Sequence, residues 1–171
     1  MKFNIRQALP DDAVIFADCQ ISCWQSAYKG IVSDEYLANM VEEKEQKVNH
    51  FREVLANPGE CVFYCVMHAQ TMAGFLIINK NRNGDTPEVG EIWAIYLIEE
   101  FCGKGFGGEL LAFEIDVLKR HGCKKIYLWV FKDNIRARRF YEKNGFCFTG
   151  TERVVEYGGL LIQYEYMLSD S

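Results

Sequence analysis

The segment that most restricts this chain is Phe101-Cys102-Gly103-Lys104-Gly105-Phe106-Gly107-Gly108. It lies between a strand-like run, Val89–Ile98, and a helical run from Gly105 to His121. Four glycines in six positions leave little side-chain bulk, so a ligand can approach the main chain closely. The first N–H groups of a helix have no internal partner and carry about half a positive charge. A strand, a glycine loop and a helix N-terminus in that order favour a phosphate or pyrophosphate. The helix places Leu110, Leu111, Phe113, Val117 and Leu118 inward and stops at Lys119-Arg120-His121-Gly122. Lys125–Phe131 reads as the next strand, so 89–131 is a β-loop-α-β unit with parallel strands.

Three phosphate chemistries compete for that loop, beside the plain reading of a tight structural turn. A nucleotide P-loop needs Lys-Ser/Thr after its last glycine, but Glu109-Leu110 follows Gly108, and a carboxylate there repels the β/γ-phosphates. Gly103, Gly105 and Gly108 satisfy the dinucleotide pattern G-x-G-x-x-G, with Asp133 ending the next strand. That reading lacks room, because only a short helix and an apparent hairpin follow Asp133. The stretch from Leu97 to Gly103 is also too long for the tight first turn of such a site.

The rest of the chain supplies the context. Phe3–Leu9 reads as a strand, and Pro10-Asp11-Asp12 starts a helix whose Val14, Ala17, Ile21, Trp24 and Tyr28 fall on one stripe. A second helical stretch is expected from Ser33 to Ala56, stopped by Asn57-Pro58-Gly59, with Glu42-Glu43-Lys44-Glu45 as its solvated face. Cys61–Met67 and Met72–Ile78 form a hairpin, Asn79–Thr86 a polar loop, and Asn134–Asn144 a short helix. Phe146–Glu156 and Leu160–Leu168 flank the turn Tyr157-Gly158-Gly159. The expected fold is α/β in content, one domain over residues 1–171. Its mixed, mostly antiparallel seven-stranded sheet has helices on both faces and the parallel unit at its centre.

Composition narrows the partners. A net charge of −5 lacks the basic footprint of a nucleic-acid binder. No run approaches the roughly 18 apolar residues of a membrane span, and the first residues carry no secretory apolar stretch. Seven cysteines (19, 23, 61, 65, 102, 123, 147) contain no C-x-x-C and lie apart from His50, His68 and His121. Reduced thiols of a cytoplasmic protein, with no metal site, are the expectation.

Taken together, Gly90-Glu91-Ile92-Trp93-Ala94-Ile95-Tyr96-Leu97, the glycine loop, then Asn134, Ala137, Phe140-Tyr141 and Gly145-Phe146 closely resemble the GNAT superfamily of N-acetyltransferases. The likeness spans residues 3–168 and is most specific over 89–147. It implies acetyl-CoA as cosubstrate and an amine of a small molecule or peptide as acceptor. Family members often pair, so a homodimer is part of the implication. By resemblance, Gly103, Lys104, Gly105, Phe106, Gly107 and Gly108 hold the pyrophosphate. The main chain of Ile95, Tyr96 and Leu97 receives the pantetheine arm as an added strand would. Where the family has Gln or Arg before the loop, this chain has Cys102.

Acetyl transfer needs a neutral amine, hence a base, and a proton donor for the departing thiolate. Glu91 matches the family's strand glutamate, with a solvent-facing strand residue as the competing reading. Tyr141 matches the tyrosine that protonates sulfur, and Asn134 is either a helix cap or a cofactor contact. Trp24 and Tyr28 read as core that borders the acceptor site. Cys102 has no histidine nearby in sequence, which favours direct transfer over an acyl-cysteine. A non-catalytic acyl-CoA-binding sensor is the alternative function.

Overall fold

The computed structural model describes residues 3–81 and 88–169. The chain runs β1 (Asn4–Gln7), α1 (Ala13–Ala27), α2 (Asp34–Glu42), α3 (Lys44–Ala56), β2 (Cys61–His68), β3 (Thr71–Asn79) and β4 (Val89–Leu97). It continues through α4 (Phe106–Arg120), β5 (Lys125–Phe131), α5 (Ile135–Lys143), β6 (Phe146–Glu156) and β7 (Leu160–Leu168). The strands form one sheet in the order β1-β2-β3-β4-β5-β7-β6. Every neighbouring pair is antiparallel except β4 and β5, the parallel pair expected from the β-loop-α-β pattern.

The helices divide between the two faces. Phe16, Ala17 and Cys23 of α1 and Val48, Phe51 and Leu55 of α3 pack with Phe63, Phe75 and Ala94 on one face. Leu111, Val117 and Leu118 of α4 pack with Ile78, Ile92, Ile126 and Leu128 on the other. The buried face of α1 is broader than a single stripe because the helix touches both the sheet and α3. It is centred on Phe16 and Ala17, and Val14, expected inward, is 45% exposed. At the entrance to α1, Arg6 donates two hydrogen bonds of 2.7 Å to Asp12, whose carboxylate also accepts from the Leu9 N–H at 2.8 Å. That charge-assisted pairing holds Asp12 below the usual carboxylate range.

The helical stretch from Ser33 to Ala56 is two helices, not one, and Glu43 is the joint between them. Leu37 and Met40 of α2 join Val32 and Phe131 in one cluster, whereas Val48, Phe51 and Leu55 of α3 join the α1 core. The apolar spacing breaks between Met40 and Val48, where Glu43, Lys44, Glu45 and Lys47 stand. The chain turns at that break so that each stripe reaches its own cluster. The polar loop expected at Asn79–Thr86 falls largely outside the described residues. Asn79 closes β3, and its side-chain oxygen accepts from the Asn81 N–H at 2.9 Å.

Two close approaches set the centre of the sheet. A Cβ on Gly74 would lie 2.1 Å from the Tyr96 carbonyl oxygen, so β3 and β4 meet only with glycine there. A Cβ on Gly90 would lie 2.8 Å from Leu118 Cδ2, which brings the end of α4 directly onto β4.

Candidate active site

The site begins with a fault in the sheet. On β4, Ile92 pairs with Ile78 and Ala94 with Ile77, so Trp93 is an extra, bulged residue. The bulge resets the alternation of side chains. Ala94 and Tyr96 join the α1 core, while Ile92, Ile95 and Leu97 pack on the α4 side. It also coincides with the end of the β4–β5 ladder, which runs from Val89/Lys125 to Ile92/Leu128. Beyond it β4 stays on β3 and β5 on β7, so the two central strands part as a wedge toward their C-terminal ends. Past the end of that ladder, the edge of β4 at Ile95, Tyr96 and Leu97 that faces away from β3 has no strand beside it.

At the mouth of the wedge is the glycine loop. Gly103 (φ +74°) and Gly105 (φ +88°) occupy the left-handed region, and Gly105 is the N-cap of α4. No side chain caps this helix, so the first-turn N–H groups of Phe106, Gly107 and Gly108 stay open to a ligand. The glycines divide their tasks. Those at 103 and 105 serve conformation, and Gly107 lets Phe140 of α5 approach, since a Cβ there would lie 3.2 Å from the ring. At Gly108 a Cβ would meet only the Asn144 side chain at 3.8 Å. Phe106 anchors the loop by packing edge-on against Phe3, with ring centres 4.9 Å apart. Lys104 is exposed with its ammonium 6.0 Å from the Phe101 ring, near the anion-attracting turn. Cys102 turns away from the loop and donates its thiol to the Leu97 and Ile98 carbonyls at 3.4 and 3.6 Å.

The opposite face of the wedge opens on a cavity of about 860 Å³ between the sheet and α1–α3. Trp24, Tyr28, Tyr36, Phe131 and Tyr157 form a continuous set of edge-on and tilted ring contacts along it. The Tyr28 and Tyr96 hydroxyls share a hydrogen bond, and Tyr96 stacks on Phe75. Burial raises the Tyr28 phenol to about 12. Glu91, 9% exposed, and Glu43 bring carboxylates to the cavity lining. Arg153 stands over Trp129 at 4.2 Å and donates to the Gln163 side chain at 2.8 Å, closing the far wall. Periodicity makes Trp24 and Tyr28 core, and the family resemblance sets them at the border of the acceptor site. In the structure both line the cavity, together with Tyr36 and Tyr157, which only tertiary structure brings to them.

Tyr141 projects from α5 on the α4 side, with its ring 5.2 Å from Phe140 and 5.9 Å from Phe146. Burial pushes its hydroxyl well above the ordinary phenol range, so it stays protonated and keeps a proton to donate. The Asn134 side chain caps α5, accepting from the Ala137 N–H at 3.1 Å. Absent from the sequence reading is Glu114, 0% exposed on α4 with neither carboxyl oxygen hydrogen-bonded. Its signal was in the sequence: it stands four residues from both Leu110 and Leu118, on the apolar stripe itself. No cluster of metal-ligating side chains occurs among the described residues. None of their helices is long and apolar enough to cross a membrane.

The open donors at α4, the unpaired inner edge of β4 and the wedge between them fit a long ligand with an anionic end and an amide-bearing arm. Known proteins of this shape agree. The structure of a PaiA N-acetyltransferase from Thermoplasma acidophilum, in complex with coenzyme A, superposes with a TM-score of 0.74 at 26% identity, over 96% of this chain and 98% of that one. A spermidine N(1)-acetyltransferase of T. acidophilum is 26% identical over 154 residues, 89% of this chain and 92% of its own length. A spermine/spermidine N(1)-acetyltransferase of Bacillus subtilis is 39% identical over 157 residues, 88% of this chain and 91% of its own. Residues 24–146 match the family model described as "Acetyltransferase (GNAT) family". The chain therefore belongs to the GNAT acetyltransferase family and is an N-acetyltransferase.

Proposed function

We propose that this enzyme transfers acetyl from acetyl-CoA directly to the primary amine of a small aliphatic polycation, with spermidine and spermine as the leading acceptors. The observation that carries the reading is the wedge, which joins an anion-binding turn on one face to an aromatic, carboxylate-bearing cavity on the other. Main-chain donors at Gly103, Gly105, Phe106, Gly107 and Gly108, with Lys104 beside them, hold the pyrophosphate. The free edge of Ile95, Tyr96 and Leu97 holds the pantetheine arm, and its N–H groups polarise the thioester carbonyl. When bound, acetyl-CoA supplies the activated acyl group.

On the other face, ring surfaces of Trp24, Tyr36 and Tyr157 favour a cation, and Glu43 and Glu91 add negative charge. The polyamine acetyltransferases among the relatives support that acceptor class. Glu91 accepts the proton of the incoming ammonium, and the freed amine attacks across the wedge. Tyr141, neutral and half-buried, donates to the departing sulfur. Free-thiol release from acetyl-CoA, measured with spermidine, spermine, a monoamine and a peptide N-terminus, tests the proposal. Release is expected fastest with the polyamines, and Tyr141→Phe is expected to lower kcat by about 100-fold. Tight acetyl-CoA binding with no amine-dependent release from any panel member would replace transfer by acyl-CoA sensing.

A further inference from the structure

Glu114 is a carboxyl group where packing alone asks for leucine. Leu118, one turn later on α4, meets the Gly90 position of β4. Leu110, one turn earlier, packs with Leu76, the partner of Ile95. Glu114 therefore sits at a level between Gly90 and Ile95, where the β4–β5 ladder ends at Ile92 and Leu128. This is the apex of the wedge. The side chain is fully buried there, and both oxygens lack any partner. Burial raises its proton affinity far above the carboxylate range, so it is a neutral acid. The titratable groups within its field are Tyr64 of β2 and Tyr141 of α5.

We infer that Glu114 is a positioning residue for transfer, a neutral acid that returns a proton through one bridging water to Tyr141 after Tyr141 has protonated the departing sulfur. The inference rests on the assignment of Tyr141 above. The carbon–sulfur bond breaks, and sulfur takes the phenolic proton. The phenolate takes a proton from the bridging water, which takes one from Glu114, leaving a carboxylate. That carboxylate is reprotonated from solvent, while the two protons lost by the acceptor nitrogen, one from the ammonium and one after attack, leave through the base on the opposite face, a net release of one proton per turnover. Protons balance over the cycle, and the phenolate never persists.

The test compares the parent enzyme with Glu114→Leu, Glu114→Gln and Tyr141→Phe, using the acceptor that gives the fastest thiol release. Glu114→Leu removes an unpartnered polar group, so its melting temperature is expected to rise by about 2–4 °C. Its kcat is expected to fall about 10-fold or more, with both KM values within about twofold of the parent. Glu114→Gln keeps the shape and is expected to show the same loss of kcat. The infrared carbonyl band of a buried protonated carboxylic acid is expected in the parent and absent from Glu114→Gln. A folded Glu114→Leu or Glu114→Gln with parental kcat overturns the proposal, as does absence of that band from the parent. Parental kcat in Tyr141→Phe would instead overturn the Tyr141 assignment, whereas a slow Tyr141→Phe beside fast Glu114 variants removes only the relay.

Discussion

The two faces of the wedge are built by different means. On the α4 face the proposed ligand-binding groups are main-chain N–H and C=O groups, presented by a loop, a helix start and a strand edge that are contiguous in sequence. On the α1–α3 face the lining is made of side chains, drawn from α1, α2, α3, β2, β3, β4, β5 and the β6–β7 hairpin. A main-chain site tolerates changes of side chain but not of backbone conformation. A side-chain site does the reverse. The α4 face thus suits a constant donor, and the other face can be altered for different acceptors.

The largest expected separation comes from Gly105. Its φ of +88° at the N-cap lies in a region that costs an L-residue about 1–2 kcal/mol, and the N–H groups that follow take their aim from it. Gly105→Ala is expected to raise KM for acetyl-CoA about 10-fold or more, leaving acceptor KM within about twofold. Steady-state kinetics with each substrate varied in turn measures both. Equal effects on the two would mean that the faces are not independent.

The converse change is Trp24→Leu, which keeps apolar bulk but removes an indole face in contact with Tyr28 and Tyr157. A cation–π contribution of about 1 kcal/mol predicts a roughly fivefold rise in KM for a polyamine acceptor and none for acetyl-CoA. A neutral amine analogue should show less difference between the two enzymes. An unchanged polyamine KM would move the acceptor away from the ring cluster.

The same contrast explains what could be read from the residues. Glycines and a helix start are local signals, so the loop, the parallel unit and all seven strands could be placed within about two residues at most of their ends. The aromatic cavity has no such signature. Trp24 and Tyr28 show only an apolar spacing until Tyr157, more than a hundred residues later, is folded against them. The bulge at Trp93 was invisible for a related reason. An apolar run such as Ile92-Trp93-Ala94-Ile95 carries no alternation from which a skipped face could be noticed. The break at Glu43 and the misplaced Glu114 are different, because both interrupt an apolar stripe and both could be found by asking what each charged residue does there.

The smallest effect is expected at Asn134, where the sequence allowed a cap or a cofactor contact. Its side-chain oxygen accepts from Ala137 at 3.1 Å and its carbonyl accepts from the Arg138 N–H at 3.0 Å, both within the first turn of α5. No residue of α5 is fully buried, so the helix is held by its cap and a few specific contacts. These are Phe140 on Gly107, and the Tyr166 hydroxyl between Arg138 and Glu142. Asn134→Ala is expected to cost about 1 kcal/mol, read as a fall of about 2–4 °C in melting temperature. Both KM values should move less than twofold, because Tyr141 lies two turns further on and is seated by Phe140 and Phe146 rather than by the cap. A rise in acetyl-CoA KM at unchanged melting temperature would transfer Asn134 from the scaffold to the binding face. It would also mean that the α4 face reaches its ligand with a side chain after all.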